Sequence, residues 1–253
     1  MKFTYKGSDG REELRKFLAE SEKEESEPEV DEEKEEPKEF NTDINKSDYI
    51  QIPNQNFLVA IAETNKNLNY EDAHRKTLGK GLVIPTPKQF MIFHNYVIDC
   101  YKNKKQIANA SGNPIPEKIK DNLYKQLTED CWTWLNGRFT ISDTERKIEY
   151  ITGIDSNTNQ LITKSEDLEE CLMKDILIDF NKLNNQGLPK LEAELSGQNF
   201  TRGENTYFWS PKNGRVARFD AGSDGTVLGC YGDPSCSYDI LGVRAVKLAG
   251  DKK

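Results

Sequence analysis

Oxygen-bearing side chains gather near the C-terminal end of the sequence and could bind a calcium ion. Calcium takes six to eight oxygen ligands that converge on one point. The candidate ligands are Asp220, Ser223, Asp224, Asp233 and Asp239. A turn-rich loop also uses Asp, Ser and Gly for ordinary backbone reasons. We therefore expect no metal here, and calcium stays open as an alternative.

Histidine and the usual catalytic motifs are scarce. The two histidines, His74 and His94, fall in predicted helices and fit core or surface roles. No nucleophile elbow, phosphate-binding glycine loop or HExxH motif occurs in the sequence. We therefore expect a protein that is not an enzyme, has no catalytic residue and needs no cofactor.

The cysteines do not follow a zinc-binding pattern, and their number is odd. They are Cys100, Cys131, Cys171, Cys230 and Cys236. This usage fits a reduced intracellular chain in which most thiols are buried. A disulfide between Cys230 and Cys236, which would close a short loop, remains open.

Acidic charge is concentrated at the N-terminus. Residues 1–39 carry 15 acidic and 8 basic residues, so −7 of the total net charge of −8 lies there. Such a composition cannot bury enough apolar surface to offset the entropy of ordering. We therefore expect residues 1–47 to be a disordered acidic tail, either a solvated spacer or a docking segment for a partner.

The rest of the chain is nearly neutral and has no stripe of Lys and Arg, so we expect no nucleic-acid partner. No apolar run approaches the ~20 residues of a spanning helix, so we expect no membrane insertion. Residues 1–6 lead into charged sequence rather than an apolar segment, which predicts no signal peptide. The expected location is therefore intracellular or virion-associated.

Three helices are predicted in the first half of the folded part. Asn69 is a suitable N-cap for the segment NYEDAHRKTLG, and Thr86 is one for the helix that begins at Pro87. In that second helix Phe90, Phe93, Val97 and Tyr101 fall on one face, and a third helix is predicted at residues 117–130.

Short strands are predicted from Cys131 onward, so the fold class is α+β. The strand segments are CWTWLNGRFTI, RKIEYITGI, NQLIT, NTYFWS, GRVARFD and LGVRAVKL. LMKDILIDF could be strand or helix. Residues 222–240 are rich in Gly, Ser and Asp and predict an irregular segment, and Trp132 and Trp134 are predicted to be buried.

Two segments carry a resemblance to a known family. YEDAHRKTLGKGLVIPTPKQFMIF and LGVRAVK resemble segments of the C-type lectin fold, in its formylglycine-generating-enzyme-like branch. The block FWSPKNGRVARFDAGSDGTVLGCYGDPSCSYDILGVRAVK resembles the C-terminal variable region of diversity-generating retroelement variable proteins, of the archaeal and archaeal-virus type.

The resemblance implies a C-type lectin-like domain over residues 48–253, with short antiparallel strands and two to three helices. An inserted region spans about 103–190, and the variable region spans about 205–248. In this family a reverse transcriptase copies a template with errors at adenines, and the copy replaces the end of the gene. The resemblance therefore implies a non-catalytic, receptor-binding display protein whose ligand is an unknown protein or surface.

The composition of residues 222–240 agrees with adenine mutagenesis. Asparagine codons with randomised first and second bases cannot encode Lys, Glu, Gln, Met or Trp. None of these types occurs in residues 222–240, although they make up 45 of the 214 residues from 40 to 253. By that frequency, the chance of their absence is about one in a hundred.

The resemblance assigns ligand-binding residues to the variable face, with Tyr231 and Tyr238 as aromatic anchors. Leu228 and Pro234 are expected to be structural, and Trp209, Phe219, Leu241 and Val243 to lie in the core beneath the loops. The expected variable residues are Gly222, Asp224, Gly225, Thr226, Val227, Gly229, Tyr231, Gly232, Ser235, Ser237, Tyr238, Asp239 and Ile240.

Two other functions remain open within the same resemblance. Formylglycine-generating enzymes hold copper with a C-terminal cysteine pair, and Cys230 with Cys236 could provide two soft ligands for Cu(I). Their spacing and surroundings depart from the enzyme's pattern. Many C-type lectins bind sugar through calcium, but the Glu-Pro-Asn or Gln-Pro-Asp tripeptide is missing here.

Overall fold

The computed structural model describes residues 44–249, and these residues form a mixed α+β fold, as the sequence predicts. Residues 1–43 of the predicted tail lie outside the described residues, and its residues 46 and 47 belong to a short 3-10 turn, Lys46–Asp48, capped by Asn45. The helices are α1 (Tyr70–Leu78), α2 (Pro87–Lys102) and α3 (Glu117–Glu129). The strands are β1 (Tyr49–Gln51), β2 (Phe57–Ala60), β3 (Cys131–Ile141), β4 (Arg146–Ile154), β5 (Leu161–Asp167), β6 (Ile176–Ile178), β7 (Thr206–Trp209), β8 (Val216–Gly222), β9 (Gly225–Gly232), β10 (Leu241–Gly242) and β11 (Val246–Leu248).

The helices begin where the capping residues predict. The Asn69 side chain accepts a hydrogen bond from the Asp72 amide at 2.9 Å, which fixes the start of α1. Thr86 and Gln89 form a reciprocal capping box at the start of α2, with Pro87 in the first turn. These local interactions satisfy backbone donors that a helix start otherwise leaves unpaired.

A large mixed sheet forms the body of the fold. Its strand order is β5-β4-β3-β8-β9-β7-β6, and β10 pairs with β3. The β7–β9 and β10–β3 pairs are parallel, and the other pairs are antiparallel. The predicted insert, about 103–190, supplies α3 and β3 to β6, and β3 lies inside the sheet, where Phe139 is fully buried.

The two faces of this sheet have different surroundings. Helices α2 and α3 share one hydrophobic cluster with the inner face, where Phe90 meets Phe219 with ring centroids 4.9 Å apart. Helix α1 covers only part of the outer face, where Tyr70 packs edge-on against Trp134 at 5.7 Å. The remaining outer face is therefore free of a covering helix within the described part of the chain.

A second sheet joins the beginning and end of the described chain. Strand β2 pairs with β1 on one side and with β11 on the other, both antiparallel. Next to β11, the fully buried Arg244 donates to the Ala60 carbonyl and to the Gln126 side chain, and contacts the Ile61 carbonyl. These bonds hold the C-terminal segment against the core.

The prediction of an irregular segment at residues 222–240 is partly wrong. Residues 225–232 form the regular strand β9, hydrogen bonded between β8 and β7. The glycine-rich sequence does not predict this strand, because glycine has a weak β-propensity. Pairing with a strand on each side stabilises it instead. In the ambiguous segment LMKDILIDF only Ile176–Ile178 is strand.

Candidate binding face

Alternation along β8 separates core residues from surface residues. Ala217, Phe219 and Ala221 point into the inner core, whereas Arg218 and Asp220 occupy the opposite, outer face. Strand β9 continues this pattern, since Leu228 and Cys230 are fully buried in the inner core. The neighbouring Val227 and Tyr231 are only partly buried.

Five aromatic side chains on β3, β7, β9 and the following loop form what we call the aromatic face. Trp209 is 37% exposed and Tyr238 is 45% exposed. Trp209 and Tyr231 lie with ring centroids 4.4 Å apart, and Trp132 and Tyr238 meet edge-on at 6.1 Å. The members of the aromatic face are Trp132, Tyr207, Trp209, Tyr231 and Tyr238.

Arg218 organises the middle of the aromatic face. Its guanidinium lies 5.4 Å from the Trp132 ring centroid and 5.2 Å from that of Tyr231. It donates to the Tyr231 hydroxyl at 3.0 Å, and its Nε lies 2.9 Å from Oδ2 of Asp220. One arginine therefore binds two rings and one carboxylate at once.

Asp220 is a buried carboxylate with incomplete hydrogen bonding. Burial raises its pKa to about 6, although the charge of Arg218 and its hydrogen bond act in the opposite direction. Within the described residues its Oδ1 atom has no hydrogen-bond partner. The ion pair with Arg218 is therefore the main compensation for burying this charge.

The loop of residues 233–240 is held against the rest of the domain by specific bonds. Asp233 accepts bonds from the Ser235 side chain and amide and is paired with Arg215 at 2.6 Å. Together these bonds lower the pKa of Asp233 to about 2. The Pro234 carbonyl accepts a bond from the amide of Tyr70 at the start of α1, so the loop is fixed at two points.

Ten of the thirteen expected variable residues are exposed or partly exposed. Ile240 is 50% exposed and Gly222 has open space around its α-carbon. The expected residues that are exposed or partly exposed are Gly222, Asp224, Gly225, Val227, Tyr231, Ser235, Ser237, Tyr238, Asp239 and Ile240.

Four expected variable residues face the interior or lack room for a side chain. At Gly225, where φ is +141°, a Cβ would lie 3.1 Å from the Tyr207 ring. Thr226 is 2% exposed and its hydroxyl bonds to that of Thr206 at 2.7 Å, because it points to the inner side of β9. A Cβ on Gly232 would lie 2.9 Å from the Val216 carbonyl oxygen. Gly229 is buried, and a Cβ there would lie 3.0 Å from the Tyr231 ring.

The assignment of Trp209 to the core is wrong, whereas Phe219, Leu241 and Val243 are fully buried as expected. Trp209 falls on the outer face because its neighbour Phe208 takes the inner position. Trp134 is fully buried, but Trp132 is partly exposed on the aromatic face.

The alternative chemical sites receive no support from the positions of their residues. Within residues 44–249 no group of three or more His, Cys, Asp or Glu side chains converges as a metal site requires. Cys230 lies in the inner core while Cys236 is on the partly exposed loop, and both are free thiols. They form neither a disulfide nor a shared ligand pair in this arrangement.

Sequence reasoning missed several residues of this face. Arg218, Tyr207 and Asp175 were not singled out, although each contributes an aromatic or charged group. The alternation of polar and apolar residues in VARFDA does predict that Arg218 faces the surface, since a half-buried strand places its polar residues on one side.

No family model, curated protein or solved structure matches this chain. The helices of residues 44–249 are all too short or too polar to cross a bilayer.

Proposed function

We propose that this chain is a non-catalytic ligand-binding display protein whose aromatic face and adjoining loop form the binding surface. In this proposal, retroelement mutagenesis rewrites exposed residues within 222–240 while the core stays constant. The observation that carries the proposal is the alternation of β9 and the exposure of the loop after it. Core residues such as Leu228 sit between outward positions such as Val227 and Tyr231.

The proposed binding surface is ordered before any ligand binds. The loop is fixed through Asp233 and Pro234, so its exposed side chains project from a backbone that is already ordered. Ordering before binding lowers the entropy lost in the complex. Exposed Tyr238 and half-buried Tyr231 supply amphipathic contact area with few rotatable bonds.

We further propose that the fold is C-type lectin-like. Two segments of the sequence carry that resemblance, and they contact each other in space. Val83 of the IPTP-containing segment and Val246 of the LGVRAVK segment exchange backbone hydrogen bonds of 2.9 and 2.8 Å. This contact supports the interpretation that both segments belong to the same fold.

Two libraries test the proposal. The first randomises five exposed loop positions, and the second, as a matched control, randomises five buried positions on β8 and β9. We expect most members of the first library to fold and some of them to bind an arbitrary target such as hen lysozyme. Most members of the second library should fail to fold. Equal loss of folding in both libraries would contradict the proposal. The loop positions are Ser235, Ser237, Tyr238, Asp239 and Ile240, and the buried positions are Phe219, Ala221, Thr226, Leu228 and Cys230.

A further inference from the structure

One edge of the aromatic face combines two rings with a carboxylate. The rings are those of Trp209, which is 37% exposed, and Tyr231, which is half-buried, and they contact each other at 4.4 Å with a tilt of 50°. Exposed Asp175 lies beside them, because its Oδ1 accepts bonds from the Ser210 amide at 2.8 Å and hydroxyl at 2.9 Å. Ser210 directly follows Trp209 in the chain.

Asp175 has no basic partner among the described residues, and its charge acts on Tyr231. Burial is the main reason that the pKa of Tyr231 is raised, and the charges of Asp220 and Asp175 add to the increase. Among residues 44–249, no ion pair includes Asp175. The adjacent Lys174 is paired instead with Glu194 at 2.5 Å.

The same face already binds one guanidinium group in this manner. Arg218 lies over the rings of Trp132 and Tyr231 and pairs with the carboxylate of Asp220. A planar guanidinium suits such a setting because it stacks on aromatic rings and pairs with a carboxylate. Trp209 and Asp175 offer a second ring and carboxylate beside Tyr231, whose ring already lies under Arg218.

We propose that Trp209, Tyr231 and Asp175 bind the guanidinium group of an arginine side chain presented by a partner protein. The inference rests on the proposed function, since it takes the aromatic face as the binding surface, and it adds the chemistry of the ligand. Trp209 and Asp175 lie outside the expected variable residues. Trp209 and Asp175 would therefore form the constant part of the arginine site, whereas Tyr231, an expected variable residue, would change with the other variable positions.

The test is an NMR titration of the full chain with two tripeptides. The first is acetyl-Gly-Arg-Gly-amide, and the second replaces Arg by citrulline, which keeps the shape and removes the charge. The indole N–H signal of Trp209, assigned with a Trp209→Phe variant, is followed up to about 10 mM peptide, because one side chain binds weakly. We expect the arginine peptide to bind at least about threefold more tightly than the citrulline peptide.

Asp175→Asn should reduce the affinity for the arginine peptide about three- to fivefold. Asparagine can still accept the two bonds from Ser210, so this change removes charge without removing structure. Asp121→Asn is the matched control, because Asp121 is also exposed but lies on α3, which packs against the inner face of the sheet rather than the aromatic face. We expect the control to bind like the wild type.

Equal binding of the two peptides, equal effects of the two Asn variants, or no shift of the Trp209 signal would each overturn the arginine site. If both peptides bound equally and Trp209→Ala abolished both, the face would still bind ligands but would not recognise arginine. The display function fails on a different result, the equal loss of folding in the two libraries.

Discussion

Truncation of Leu228 and of Ile240 to alanine should have very different effects on stability, although each change removes three side-chain carbons. Leu228 is fully buried and is paired in the sheet with Phe219 and Phe208. Losing three buried carbons costs about 2.4 kcal/mol in transfer free energy, and the cavity left behind raises the total to about 3–4 kcal/mol. In a domain of this size that equals a fall in melting temperature of about 10 °C.

Ile240 is 50% exposed on the loop, so Ile240→Ala should change the free energy of unfolding by no more than about 0.5 kcal/mol. Urea unfolding followed by circular dichroism measures both variants, and unchanged m-values would show that the two unfolding transitions are comparable. A cost above about 2 kcal/mol for Ile240→Ala would mean that its side chain is part of the core. The division between core and display surface would then be refuted.

Three further changes probe the same region and the core beneath it. Gly232→Ala should destabilise the protein by about 1–3 kcal/mol because its Cβ meets a backbone carbonyl oxygen, whereas Gly222→Ala enters open space and should be neutral in thermal melts. Arg218→Ala should cost about 3 kcal/mol in urea unfolding, since it leaves a buried carboxylate unpaired, while Arg215→Ala, whose ion pair is exposed, should cost much less. Burial lowers the pKa of His94 from 6.5 to about 4, so its neutral form stabilises the fold above pH 6.5 and that contribution is lost as the pH falls toward 4. A His94→Gln variant should therefore lose less stability between pH 6.5 and 4 than the wild type, and equal losses would contradict this origin.

Local signals in the sequence predicted the helices and the longest strands. Asn69 and Thr86 are capping residues whose bonds form within three positions, so no tertiary contact is needed to recognise them. The segment CWTWLNGRFTI coincides with β3, because aromatic and β-branched residues occur there between clear turn signals.

Features that depend on pairing between distant segments could not be predicted. Strand β9 contains Gly225 and Gly229 and looks like a loop, and its order comes from β8 on one side and β7 on the other. Trp209 was assigned to the core because strand alternation predicts two faces but not which of them is covered. Asp175 lies 34 residues before Trp209 in the chain and reaches the site because β6 pairs with β7 and Ser210 bonds to it.

Sequencing the DNA beside the gene tests the central claim, that exposed residues of this face are rewritten while the core is kept. The account predicts a near-copy of the codons for residues 205–247 next to a reverse transcriptase gene, with differences confined to adenines of the copy. These differences should fall on codons for exposed residues such as Tyr238 and Ile240 and spare those for Leu228 and Phe219. A neighbourhood without such a copy, or a copy whose differences fall equally on buried residues, would contradict the account.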